Sequence, residues 1–349
     1  MKSVELQRYP NSRYFVESLA GSLVHFGRVS TTDDCPMSSL TERLQQGEIL
    51  LLDGGVSTEI RRRGVALDRN VWSGLATKTN PDEVLSVHED YIRAGAQIIT
   101  ANTYSTARHV LESINLGHES KLLNLKSVQL AQQARDNVGD EAVLIAGSMS
   151  SMPPLTSHRE VAIDGQIESS YQELAESLVN AGVDLIIAEM MRDVENAGIV
   201  IRAAVATGLP VMIGFSAMLA DNGIDVRSLR WKNTDDTTAA HDFGEMVDSL
   251  KPLGGLAAGI MHTRVEDTVP ALAVLREHWS GPLLAYAETG KLILPDWRYE
   301  EVSSPQQYAV EIEGWIRDYG VQIVGGCCGT GPEHIRALRQ MLDHLGNQP

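Results

Sequence analysis

The chemistry of this chain starts with two adjacent cysteines. Cys327 and Cys328 lie in the run Val324-Gly325-Gly326-Cys327-Cys328-Gly329-Thr330-Gly331, with small residues on both sides of the thiol pair. Adjacent thiols rarely bridge each other, because disulfide geometry strains the peptide between them. As thiolates they suit a soft ion, and zinc takes such sulfurs at about 2.3 Å. Two other readings stand beside that one. The pair can be small buried hydrophobes in a Gly-rich turn, or the turn can cradle phosphate at a helix entry, a reading weakened by the lack of a P-loop lysine. A zinc site with two cysteines needs a third protein ligand, and His262, after Gly259-Ile260-Met261, is the candidate. Asp53, in Asp53-Gly54-Gly55, and Glu189 are carboxylates that can cap turns or together hold an ammonium group. His88, His109 and His334 fall in helical stretches and read as ordinary surface or core residues.

Short apolar runs must bring these residues together. Eight occur, each ending in small or polar residues: Ile49–Leu52, Ile98–Thr100, Val143–Ala146, Leu185–Ala188, Val211–Ile213, Leu256–Ala258, Leu283–Ala285 and Val321–Val324. Continuous rather than alternating apolar runs indicate strands buried on both faces, as in parallel sheets. Helical patterns lie between them. Pro81–Ala94 opens with Pro-Asp-Glu and ends at Gly95, Ser169–Asn180 sets Tyr171, Leu174, Leu178 and Val179 on one face, and Thr330–Leu345 spaces Ile335, Leu338, Met341 and Leu342 helically. This alternation predicts a single (β/α)8 TIM barrel. A doubly wound sheet is the alternative, and no G-x-G-x-x-G follows the first strand to support it. The polar, weakly patterned residues 1–42 read as an N-terminal arm, and 43–349 as the barrel.

In such a barrel the chemistry sits at the carboxyl ends of the strands. In order these ends read Asp53, Asn102, Ser148, Glu189, Ser216, His262, Tyr286 and Cys327-Cys328. Gly54, Asn102, Ser148 and Tyr286 therefore join Asp53 and Glu189 as substrate-binding candidates.

Composition narrows the partners. Lys and Arg total 29 against 46 Asp and Glu, a net charge of -17, so phosphate backbones and anionic lipid surfaces repel the chain. Only 3 Cys occur in 349 residues, which excludes a disulfide framework and points to a reducing compartment. No apolar run approaches the roughly 18–20 residues of a membrane span, and residues 1–30 lack a signal-peptide centre. A cytoplasmic protein with small-molecule partners is expected, without nucleic acid or membrane, and the arm can pack across the interface of a homo-oligomer.

Four segments carry a resemblance: Leu51-Leu52-Asp53-Gly54-Gly55-Val56-Ser57-Thr58-Glu59, Thr100-Ala101-Asn102-Thr103-Tyr104, Ala181 through Glu189, and Gly325-Gly326-Cys327-Cys328-Gly329-Thr330-Gly331-Pro332-Glu333-His334-Ile335. With them the chain resembles the homocysteine S-methyltransferase family from about Glu48 to Leu345, and the last segment is highly specific. The family includes betaine–homocysteine and S-methylmethionine–homocysteine methyltransferases and the homocysteine-binding module of cobalamin-dependent methionine synthase. The resemblance implies a zinc-dependent barrel and a place in methionine biosynthesis. Cys327 and Cys328 would be zinc ligands, and Asp53 and Glu189 would receive the homocysteine amino group. The substrate thiol, made thiolate by zinc, would attack a methyl group on a small onium donor without a protein general base.

Some positions depart from the family pattern. Its Gly-x-Asn-Cys reads Gly259-Ile260-Met261-His262, so the implied ligand set is His262, Cys327 and Cys328. Its Tyr-Pro-Asn-Ser-Gly reads Tyr286-Ala287-Glu288-Thr289-Gly290, and the Thr after the Glu of strand four is Met190. The stretch from Leu219 to Asp242 is longer and more polar. Two alternatives follow: a divergent member with another acceptor or donor, including corrinoid-linked demethylation with the corrinoid on a separate protein, or a catalytically silent small-molecule-binding barrel.

Overall fold

A computed structural model describes residues 36–151, 164–229, 240–293 and 298–346. Most of the arm expected over 1–42 lies outside the described residues. Its last residues belong to a helix, Pro36–Gln45, that runs through the expected boundary at 42/43.

All eight apolar runs become strands. Numbered along the barrel they are β1 (Leu50–Leu51), β2 (Ile98–Ala101), β3 (Leu144–Ser150), β4 (Leu185–Met191), β5 (Val211–Phe215), β6 (Ala257–Arg264), β7 (Leu283–Glu288) and β8 (Val321–Val324). They pair in parallel in the spatial order β1-β8-β7-β6-β5-β4-β3-β2. The ring closes where Leu52 bridges Ile98, with the Asp53 N–H donating to the Ile98 carbonyl at 3.0 Å. Helices Pro81–Arg93, Ser120–Val138, Asp164–Ala181, Val194–Val205, Phe243–Leu250, Val265–His278 and Pro305–Tyr319 return the chain between strands, and Pro332–Gly346 follows β8; Val179, expected on the packed face of Asp164–Ala181, is exposed instead. Their ends follow local chemistry. Ser304 and Gln307 form a reciprocal capping box around Pro305, and Gly320 ends that helix in the left-handed conformation.

The strands look uniformly apolar, yet their pleat sorts them into two layers. Leu50, Leu52, Ile98, Leu185, Ile187, Leu284 and Ile323 fill the barrel interior, while Leu51, Ile99, Ile186, Ala188, Leu283 and Val324 pack outward against the helices. Leu40 and Leu44 join the interior layer, and the Leu44 carbonyl accepts a bond from Gln322 at 2.7 Å. The helix Pro36–Gln45 is thereby tied to the barrel interior. Short antiparallel hairpins follow β5 (Ala217–Leu219 with Val226–Ser228) and β7 (Lys291–Ile293 with Arg298–Glu300). Among the described residues no helix is long and apolar enough to cross a membrane.

Candidate active site

The strand ends open into a cavity of about 150 Å³, lined among others by Asp53, Gly54, Asn102, Ser148, Glu189, His262, Tyr286, Cys327 and Cys328. The cavity thus gathers all nine residues expected to bind metal or substrate. Ser216 is buried but does not line it; its hydroxyl lies 3.2 Å from the sulfurs of Met190 and Met261. His88, His109 and His334 stay outside: His334 contacts the Ser303 carbonyl at 3.0 Å, His109 meets Ser170 at 2.8 Å, and His88 is core.

Two strands reach the cavity through bulges. Between the pairs Ala188/Ile213 and Met191/Phe215, β4 carries two residues, Glu189 and Met190, against one on β5. Between Met261/Tyr286 and Arg264/Glu288, β6 likewise carries His262 and Thr263 against Ala287 on β7. Each bulge contains a non-glycine residue in the left-handed region, Met190 at φ 58° and His262 at φ 42°. Such conformations are costly and collect at functional sites.

At the β1–β4 end stand the two carboxylates. Asp53 is buried and accepts from the Thr100 N–H at 2.7 Å and its hydroxyl at 3.0 Å. Burial pushes its pKa up to about 7, with the charge of Glu189 adding to the rise against the Thr100 donors. Glu189 accepts from the Ser148 hydroxyl and, at 3.2 Å, from Tyr286; burial raises its pKa as well. Asn102 spends its amide on the preceding loop, accepting from the Ser73 hydroxyl at 2.7 Å and donating to its carbonyl at 2.9 Å.

At the β6–β8 end the cysteine turn is stitched to β7. The Cys327 N–H donates to the Ala287 carbonyl at 3.0 Å, and the Thr289 N–H donates to the Cys328 carbonyl at 2.9 Å. Gly329 follows at φ +82°, where a Cβ would stand 2.0 Å from the Thr289 carbonyl oxygen, so only glycine fits. The Cys327 Sγ lies 3.7 Å from His262 Nδ1 and 3.9 Å from Cys328 Sγ. One donor atom from each of the three residues falls within 4.8 Å of the others. Tetrahedral zinc with bonds of about 2.3 Å to sulfur and about 2.0–2.1 Å to nitrogen sets S···S at about 3.8 Å and S···N at about 3.6 Å, which the two Cys327 distances match. A hydrogen bond from Cys327 holds the Cys328 thiol well below the usual range against burial, and the His262 charge helps. Burial opposes a charged His262, yet Glu288 and Cys328 outweigh it and raise its pKa to about 9.

Several lining residues were not singled out by strand-end position. Trp72 and Tyr104 line the cavity with ring centroids 5.5 Å apart, edge to face. Leu292 and Tyr299 reach it from the hairpin after β7. Tyr104 stands in the second family segment, which was a usable signal; Trp72 and the hairpin left none.

Fold and site define a (β/α)8 barrel with a candidate metal centre facing buried carboxylates. A family model described as homocysteine S-methyltransferase matches residues 50–342, and the chain belongs to that family and is an S-methyltransferase. It is 29% identical to the homocysteine S-methyltransferase of Escherichia coli over 85% of this chain and 96% of that one. It is 26% identical to betaine–homocysteine S-methyltransferase 1 of Bos taurus, covering 87% of this chain and 74% of the relative. The metallated form of the Escherichia coli homocysteine methyltransferase MmuM superposes with a TM-score of 0.67 at 26% identity, over 87% of this chain and 99% of that one.

Proposed function

We propose that this S-methyltransferase moves a methyl group from a small onium donor to the thiol of homocysteine or a related amino thiol, with zinc held by His262, Cys327 and Cys328. The observation that carries the reading is the placement of three metal-ligating side chains and the carboxylates Asp53 and Glu189 around one cavity. No Lys or Arg is among the described residues lining it. Bound zinc would supply the acidity that takes the acceptor thiol to thiolate near neutral pH. Asp53 and Glu189 pair with the acceptor ammonium and fix its sulfur toward the metal end. Trp72 and Tyr104 line the cavity and supply the aromatic surface that a cationic methyl donor favours. In the transfer a sulfur–carbon bond forms while the bond from methyl to the donor heteroatom breaks, and the electron pair leaves with that heteroatom. The walls hold both partners at attack distance and exclude water.

Met190 and Met261 favour a second reading on the acceptor. Both line the cavity where the family pattern has Thr and Asn, which makes that wall softer and less polar. An acceptor other than homocysteine fits this wall, and the 24% identical selenocysteine Se-methyltransferase of Brassica oleracea is a relative named for one.

A screen of amino thiols and selenols against betaine-like and sulfonium donors, with metal analysis of the purified chain, tests the proposal. One zinc per chain, with methylated product lost on chelation, is the expected result. A folded, zinc-free protein that makes no methylated product would overturn it in favour of a silent binding barrel.

A further inference from the structure

His262 does not stand alone at the metal end. The bulge that turns it into the cavity lies directly before the register pair Arg264/Glu288 on β6 and β7, and the Glu288 Oε2 is 3.4 Å from His262 Nδ1. The carboxylate is only 20% exposed, a costly place for a charge without a partner. Arg264, its register neighbour, is committed elsewhere, to Asp267 at 2.8 Å and Glu266 at 3.0 Å. The backbone on both sides of Glu288 is also fixed to the cysteine turn, through the Ala287 carbonyl and the Thr289 N–H. Its side chain is therefore delivered to the same place as the thiols.

We propose that Glu288 is a positioning residue of the metal centre, its carboxylate standing beside the same His262 nitrogen that faces Cys327 and supplying the negative charge that a histidine ligand lacks. This rests on the zinc reading above. Two thiolates and a neutral imidazole leave a zinc centre with no formal charge, whereas three thiolates leave it at -1. The Glu288 carboxylate returns the centre to -1 without adding a sulfur. A more anionic centre withdraws less charge from the acceptor sulfur and keeps it more nucleophilic. His262 and Glu288 thus form a pair of departures from the family pattern that compensate each other.

The test is zinc affinity by chelator competition on the full chain, in wild type, Glu288→Gln, His262→Cys and the double variant, each checked for folding by circular dichroism. Glu288→Gln is expected to weaken zinc about 10–100-fold with His262 present, as loss of an outer-shell partner does. In the His262→Cys background the same change should cost nothing or gain affinity, because the carboxylate there faces a third thiolate. Glu288→Asp should recover part of the loss, which a purely structural role of the hairpin would not produce. Equal losses in both backgrounds, or unaltered affinity in Glu288→Gln while wild type holds stoichiometric zinc, would overturn the role of Glu288 alone. Wild type without zinc affinity would overturn the metal assignment with it.

Discussion

Two sides of the cavity are built differently. On the β1–β4 side Asp53, Ser148, Glu189 and Asn102 each have hydrogen-bond partners within the protein. On the β6–β8 side Cys327 lies 3.7 Å from the His262 imidazole and 3.9 Å from Cys328, contacts too long for strong bonds, and one donor atom from each of the three falls within 4.8 Å of the others. The carboxylates are already held by donors of the protein, whereas the thiols and the imidazole make only long contacts with one another.

The comparison breaks first at the sulfur end. Cys327→Ser or Cys328→Ser should each abolish stoichiometric zinc, since a hydroxyl is a far poorer ligand than a thiolate. Metal analysis showing zinc unchanged in a folded variant would mean the trio is not the centre.

At the other end, Asp53→Asn and Glu189→Gln should leave zinc in place and weaken the acceptor. Charge-assisted bonds of roughly 1.5–3 kcal/mol correspond to about 10- to 150-fold in dissociation constant. Calorimetric titration with the acceptor checks this, and unaltered affinity in both variants would divorce the carboxylates from substrate.

The raised pKa of Asp53, about 7, sharpens the contrast through pH. A carboxyl whose folded pKa lies above its unfolded 3.8 stabilises the fold fully below pH 3.8, and that contribution disappears as pH rises through about 7. Asp53→Asn should therefore be nearly neutral for stability at pH 4 and stabilising at pH 8. At 1.36 kcal/mol per tenfold change in proton affinity the ceiling is about 4 kcal/mol. Denaturant unfolding at the two pH values measures it; equal effects at both would show that Asp53 pays no burial cost. Acceptor affinity in wild type should fall as pH drops below about 7, where the carboxylate loses its charge.

The smallest effect belongs to Tyr286→Phe, which removes the 3.2 Å bond to Glu189. A loss of about 0.5–1.5 kcal/mol is expected, a few-fold to roughly tenfold in acceptor affinity. A loss as large as that of Glu189→Gln would give Tyr286 a direct contact with substrate.

Much of this protein is written locally in its residues. Runs such as Leu185–Ala188 have no face to show to water, so they had to be strands covered on both sides, and eight of them alternating with helical patterns leave few architectures. Asp53, Glu189 and the cysteine pair were legible as candidates because each follows closely on an apolar run of its own. Other features were decided between strands. Nothing in Glu189-Met190 or His262-Thr263 marks a bulge, because two residues facing one is a property of the neighbour's register. Asn102 sits at a strand end like the others, but the tertiary fold spends its side chain on Ser73. Trp72 and Tyr104 are 32 positions apart and become one wall only through packing. Glu288 could be read as a departure from a pattern but not as a partner of His262, since 26 residues and a whole helix separate them in the chain. Sequence determines which groups are available and on which element they ride; charge pairing and orientation act over a few ångströms, and only the closed barrel brings distant groups within that range.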